Sequence, residues 1–200
     1  MNREEKISMK HLASIITILF CSMIFGQDVY VIDDNYPVHD LQSHIIIIED
    51  TNNTLTPEQV LNDDSLSVLN ETSKTGRLEV GKTYWGKLTI VTNETLKDWT
   101  LHFEDKMIGP PAWTKSNGKI DVFAYANNQL LFHKKTGVEY AKSERDVKTH
   151  WVLNQVSLGD IPLNIKVTII IKAQGNSIGY PAYFNLSARH PDQSNYHQIY

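Results

Sequence analysis

The sequence predicts an all-β protein, an antiparallel jelly-roll sandwich of about eight to ten strands with one short helix. Three observations predict it. Apolar and polar residues alternate with period two in segment after segment. Turn-forming pairs fall between those segments. A single stretch carries the chemistry of a helix start. A parallel sheet would need helical stretches between its strands, and the sequence offers none; it offers no internal repeat either.

Taken in order, residues 29–32 and 44–48 are short runs rich in β-branched residues. Thr56-Pro57-Glu58-Gln59 then supplies an N-cap, a proline at the first helical position and a Gln three residues after the cap. Leu55 and Val60 are placed to form the flanking apolar staple. This helix ends near Asp63-Asp64 and reads as a surface connection. Residues 84–91 form the next strand. Trp99, Leu101 and Phe103 alternate with Thr100, His102 and Glu104, which reads as a strand with one wet face. Residues 107–119 hold Trp113 and form a structured loop. Ile120, Val122 and Ala124 alternate with Asp121, Phe123 and Tyr125. Residues 129–133 and 149–156 are further strands, separated by the polar loop 138–148. Ile165, Val167, Ile169 and Ile171 alternate with Lys166, Thr168, Ile170 and Lys172. Tyr180, Ala182, Phe184 and Leu186 alternate with Pro181, Tyr183, Asn185 and Ser187. The turns lie at Asn93-Glu94, Gly109-Pro110-Pro111, Asn117-Gly118, Asn127-Asn128, Gly159-Asp160 and Gly175-Asn176. Trp99, Leu101, Phe103, Val122, Ile165, Val167, Ile169 and Phe184 are expected to point into one core.

The first residues belong to a different kind of segment. Arg3, Lys6 and Lys10 precede an apolar run over residues 12–25, followed by Gly26-Gln27-Asp28. That is the pattern of a secretory signal peptide, residues 1–26. The run is shorter than the roughly 20 apolar residues of a membrane span. An uncleaved anchor stays open, because Ile24 is bulky for the position three before the cut. Lipoprotein processing at Cys21 is disfavoured by the large Leu19 and Phe20 ahead of it. The remainder is expected to work in the periplasm or outside the cell, freely or tethered to a membrane in a longer chain. Residues 27–80 carry the early strands and the helix as a lead-in to the sandwich. Residues 81–189 form its core, and residues 190–200 a linker or frayed tail.

The one cysteine lies in the leader, so the exported part has neither disulfide nor thiol chemistry. The chain of 200 residues has a formal charge of −4, and losing the leader makes it more acidic. A mildly acidic chain without a run of basic residues argues against nucleic acid or an anionic membrane surface as partner.

A family resemblance rests on a spaced set of residues. These are Tyr84-Trp85-Gly86-Lys87-Leu88-Thr89-Ile90, Asn93, Asp98-Trp99-Thr100-Leu101, Ile120-Asp121-Val122-Phe123-Ala124-Tyr125, Arg145 ahead of Trp151-Val152-Leu153, and Val167-Thr168-Ile169-Ile170-Ile171. From about residue 81 to 186 the chain resembles the second type of extracellular domain of seven-transmembrane receptors with diverse intracellular signalling modules. The resemblance implies a jelly roll akin to carbohydrate-binding modules, acting as a ligand sensor ahead of membrane and signalling parts. Lys87 stands where that family usually has Arg. The chain stops at Tyr200 with no seven-helix block, so a receptor fragment and a freestanding secreted carbohydrate-binding or adhesion module are both open.

The candidate binding residues follow from side-chain chemistry. Flat aromatic rings stack on the apolar C–H patches of sugars. Of the four tryptophans, Trp99 alternates with aliphatics and belongs to the core. Trp85 and Trp151 are core positions by resemblance. Trp113 lies between Pro110-Pro111 and Asn117-Gly118, where no strand periodicity explains it, and reads as a loop plug or a ligand platform. Arg145 offers a planar fork for carboxylates or sugar hydroxyls. Tyr125 lines either a groove or the second face of a covered sheet. Trp113, Arg145 and Tyr125 are the expected ligand-binding residues, for a small molecule with a saccharide as the leading candidate. His102 and Glu104 lack the partners of a transition-metal site. Asp33-Asp34-Asn35 and Asp63-Asp64 offer oxygens to calcium but match no EF-hand loop. No metal or cofactor is expected, and no catalytic motif is visible. Asn52, Asn70, Asn93 and Asn185 begin Asn-x-Ser/Thr triplets.

Mass spectrometry of the exported protein is expected to find a first residue near Gln27; an intact Met1 would refute cleavage.

Overall fold

The computed structural model describes residues 28–69, 78–103, 117–148 and 154–190. Within them the strands are β1 (Val29–Ile32), β2 (Val38–Asp40), β3 (Ile46–Asp50), β4 (Thr83–Thr92), β5 (Thr100–Phe103), β6 (Lys119–Ala126), β7 (Gln129–Thr136), β8 (Asn154–Ser157), β9 (Val167–Gln174) and β10 (Leu186–Arg189). One α-helix, α1 (Pro57–Asn62), and a 3-10 turn over Gln42–His44 complete the set.

The strands form two sheets. The larger runs β1-β4-β9-β6-β7, with β3 also on β4; the smaller runs β2-β10-β5-β8. Leaving out β1 and β3, the remaining eight strands read first-eighth-third-sixth in one sheet and second-seventh-fourth-fifth in the other. That interleaving of two Greek keys is a jelly roll, as the alternation predicted. One pair departs from the antiparallel expectation: β1 runs parallel to β4, from Val29 opposite Thr89 to Ile32 opposite Thr92. The strand β2 has no sequence signal of its own, because only His39 of its three residues is buried.

The core lies between the sheets. Trp99, Leu101, Phe103, Val122, Val167, Ile169 and Phe184 all point into it. Ile165 does not: it precedes β9, is 37% exposed, and so corrects the expected list. The alternation there continues past the end of the ladder and overstates the strand. From Ala182 to Ala188 alternate residues are buried although hydrogen-bonded pairing starts only at Leu186. Gly86 interrupts β4 for a packing reason. A Cβ there would meet Ile45 Cδ1 at 2.5 Å and Phe184 Cε1 at 2.8 Å, so the gap in the strand is filled by the Phe184 ring.

The wet face expected for β5 is also corrected. Thr100 and His102 are both buried, with His102 Nε2 2.8 Å from Thr100 Oγ1 and Gln155 Nε2 3.3 Å from His102 Nδ1. β5 lies between β10 and β8, and its outward polar groups are satisfied by one another.

The helix starts as predicted. Gln59 donates its backbone N–H to Thr56 Oγ1, and Thr56 donates its own to Gln59 Oε1, which completes a capping box. Its role differs from a surface connection. Val60 is fully buried and packs with Ile48, Trp85, Tyr125 and Ile170 on the outer face of the larger sheet. That face carries large apolar side chains and needs a cover, which α1 supplies.

Phe103→Ala should leave a cavity in the inner core and destabilise the protein by about 3–5 kcal/mol. Urea unfolding checks it; a midpoint equal to that of the wild type would mean that Phe103 does not pack between the sheets.

Candidate ligand-binding face

The larger sheet has a second face that α1 covers only in part. Which side chains stand there follows from the register. Ile48, Trp85, Lys172, Asp121 and Lys135 are successive partners across β3, β4, β9, β6 and β7. Two residues along, Ile46, Lys87, Ile170, Phe123 and His133 form the next row. In the other direction Lys119 of β6 faces Gln174 of β9. Residues two apart on a strand share a face, so these rows lie on one surface.

A bulge sets the β7 half of this surface. Asn127 and Asn128 have φ of 49° and 61°, the conformation of a two-residue type I′ hairpin, and they pair Ala126 with Gln129. An unbroken ladder would then set Phe132 against Phe123. The register shifts after Ala124, so Phe132 opposes Ala124 and packs toward the inner core. His133 and Lys135 come to face Phe123 and Asp121 instead.

The helix end of the face is closed and structural. Tyr125 is buried, and its hydroxyl donates to Glu58 Oε1 at 2.8 Å. Burial, then the Glu58 carboxylate, pushes the Tyr125 phenol well above its ordinary range, while the same bond lowers Glu58. Lys87 is buried; its ammonium donates to the Leu61 carbonyl at 2.8 Å and to Asp64 Oδ1 at 3.4 Å, at the C-terminal end of α1. Asp50 accepts from the Thr54 and Leu55 backbone N–H groups and, at 3.0 Å, from Trp85 Nε1. A buried carboxylate is thus satisfied three times, and it holds the approach to α1 against Trp85.

The other end is aromatic, polar and partly exposed. The Phe123 ring stacks on His133 at 4.2 Å between centroids and 13° between planes. Trp85 lies 6.4 Å from Phe123, tilted by 30°. His133 Nε2 is 2.7 Å from Asp121 Oδ1, and the Tyr140 hydroxyl donates to Asp121 Oδ2 at 2.7 Å. Burial and then the Asp121 bond raise the Tyr140 phenol. Lys119 and Lys135 place their ammonium groups 5.7 Å and 5.0 Å from the Tyr140 ring centre, and Lys172 lies 5.2 Å from that of Trp85. The half-buried Phe123 and exposed His133 rings, beside fixed hydrogen-bonding groups, suit a ligand with apolar patches and hydroxyls.

Of the residues expected from sequence to bind ligand, Trp113 lies outside the described residues. Arg145 is buried and donates from Nε to the Tyr140 carbonyl at 3.1 Å and from Nη2 to the Val138 carbonyl at 3.2 Å. Burial lowers its guanidinium pKa. It holds its own loop, the loop that delivers Tyr140 to Asp121. Tyr125 occupies the covered second face. Phe123, His133, Asp121 and Tyr140 are not among the ligand-binding residues expected from sequence, and the first two meet through the bulge in β7, which the Asn127-Asn128 turn signal does not reveal. The acidic pairs shape turns: Asp33 Oδ1 accepts from the Asn35 N–H, and Asp63 Oδ1 from that of Ser65. Among the described residues there is no group of three or more His, Cys, Asp or Glu side chains able to hold a metal, and no helix is long and apolar enough to cross a membrane.

No protein-family model matches the chain, and no curated protein matches it. Among solved structures, a Bacteroides fragilis chain provisionally described as a beta-galactosidase aligns with a TM-score of 0.40 at 13% sequence identity. The match covers 76% of this chain but 23% of that one, and a likeness at this level carries no argument about function.

The Tyr125–Glu58 bond makes stability sensitive to alkali. A phenol raised in the folded state favours folding below its unfolded pKa of about 10, and that contribution is lost as pH rises beyond it. Tyr125→Phe should lose about 0.5–1.5 kcal/mol at neutral pH and show a shallower decline above pH of about 10. Urea melts across that range test it; parallel declines for the two proteins would show that the bond is not formed.

Proposed function

We propose that this chain is a non-catalytic, extracytoplasmic ligand-binding domain that serves as the sensor of a bacterial membrane signalling receptor, and that it binds a saccharide on the outer face of its larger sheet. The observation that carries the reading is the stacked Phe123–His133 pair beside an Asp121 carboxylate fixed from two sides. The exposed His133 ring, held by Phe123 behind it, offers a stacking surface, and a carboxylate held in place is a directional acceptor for hydroxyl groups. The signal-peptide pattern at the N-terminus and the resemblance of residues 81–186 to receptor sensor domains support the extracytoplasmic and sensing parts.

Calorimetry of the purified chain against a panel of neutral and acidic oligosaccharides tests the proposal. His133→Ala removes a half-exposed ring and should weaken a confirmed ligand about three- to tenfold, the loss of one aromatic contact, with little change in melting temperature. Unchanged affinity for that ligand would move the site off this face.

A further inference from the structure

We infer that the ligand of this face is an anionic saccharide, one carrying carboxylate or sulfate groups, recognised by Lys119, Lys135 and Lys172. The inference rests on the reading of the face as a saccharide site.

The register brings the three lysines together from three strands. Lys172 and Lys135 are the direct neighbours of Asp121 on either side, and Lys119 stands two residues from Asp121 on the same strand. The backbones of Lys172 and Lys135 are two strand steps apart, about 10 Å, a span suited to a short oligosaccharide lying across the sheet. In an ordinary cross-strand row such lysines would neutralise the carboxylate between them. Here each Asp121 oxygen already accepts one bond, from His133 and from Tyr140, and none of the three lysines pairs with it. The contacts of the three ammonium groups are with ring faces, and none has a carboxylate partner among the described residues. Two acids of the loops bond to backbone groups and not to these lysines: Glu144 accepts from the Ala141 N–H, and Glu139 from the Ser177 N–H. Three ammonium groups without a carboxylate partner therefore stand beside the exposed His133 ring, against the charges of Asp121 and of Glu144, which reaches the Tyr140 ring, on a chain whose formal charge is −4. A local field opposite in sign to that of the whole molecule favours an anion at this place. The rings select against a bare inorganic ion and for one attached to a sugar.

The test compares oligogalacturonate, a sulfated galactan and a neutral galactan of matched length as ligands of the full chain. The expected result is binding of an acidic arm over the neutral one, weakening as salt rises, with each of Lys119→Gln, Lys135→Gln and Lys172→Gln costing about two- to fivefold. The two acidic arms distinguish a carboxylate from a sulfate. Equal, salt-insensitive binding of the neutral galactan, reduced by His133→Ala but by none of the lysine variants, would overturn the inference and leave the saccharide site standing. Binding unaffected by His133→Ala and by all three lysine variants would overturn both.

Discussion

Strand β4 has both edges and both faces occupied, and the rest of the molecule is arranged by that constraint. One edge pairs with β9 over eight residues, from Thr83 to Ile90. The other is divided between β3, antiparallel along Thr83–Lys87, and β1, parallel along Thr89–Thr92. Tyr84, Leu88 and Ile90 face the inner core, and Trp85 faces the outer cluster under α1. A strand used in this way tolerates few side chains. It accommodates Gly86 because Phe184 and Ile45 need the space, and a buried Lys87 because the end of α1 supplies its oxygens.

The same constraint divides the outer face of the sheet. Asp50 gathers the Trp85 indole and the backbone leading into α1, so the helix settles over Val60, Ile48, Ile170 and Tyr125. A helix of six residues is about 9 Å long and cannot roof a sheet of six strands. What it leaves includes charged groups, hydroxyls and rings, together with Leu130, which pairs with Tyr125 and is 52% exposed. The candidate site is therefore where the fold runs out of cover, with Arg145 bracing the loop that brings Tyr140 to it.

Much of the fold was legible because period-two alternation is a local signal. β4, β6, β7 and β9 were found within a few residues of their ends, and the Thr56 capping box was readable from four residues. The misses have separate physical causes. At Ile165 the pattern outruns the ladder. At Thr100 and His102 a polar face is buried because its groups pair with one another, which hydropathy alone does not encode. The helix reads as a surface connection because the sheet face it covers is assembled from strands distant in sequence.

The site was less legible, and the reason is register. Phe123 and His133 are ten positions apart, and a regular hairpin through Asn127-Asn128 would place His133 on the inner side of the ladder. One extra residue in β7 reverses that and sends Phe132 inward. The lysines are further apart still: Lys119, Lys135 and Lys172 form no run in the sequence, which is why the chain reads as lacking a basic cluster. Their grouping costs the fold little, since partly exposed ammonium groups are screened by water and each lies over a ring. The charge of this face is thus nearly independent of stability. None of the three side chains belongs to the inner core that holds the sheets together, which leaves their charge free to be matched to a ligand.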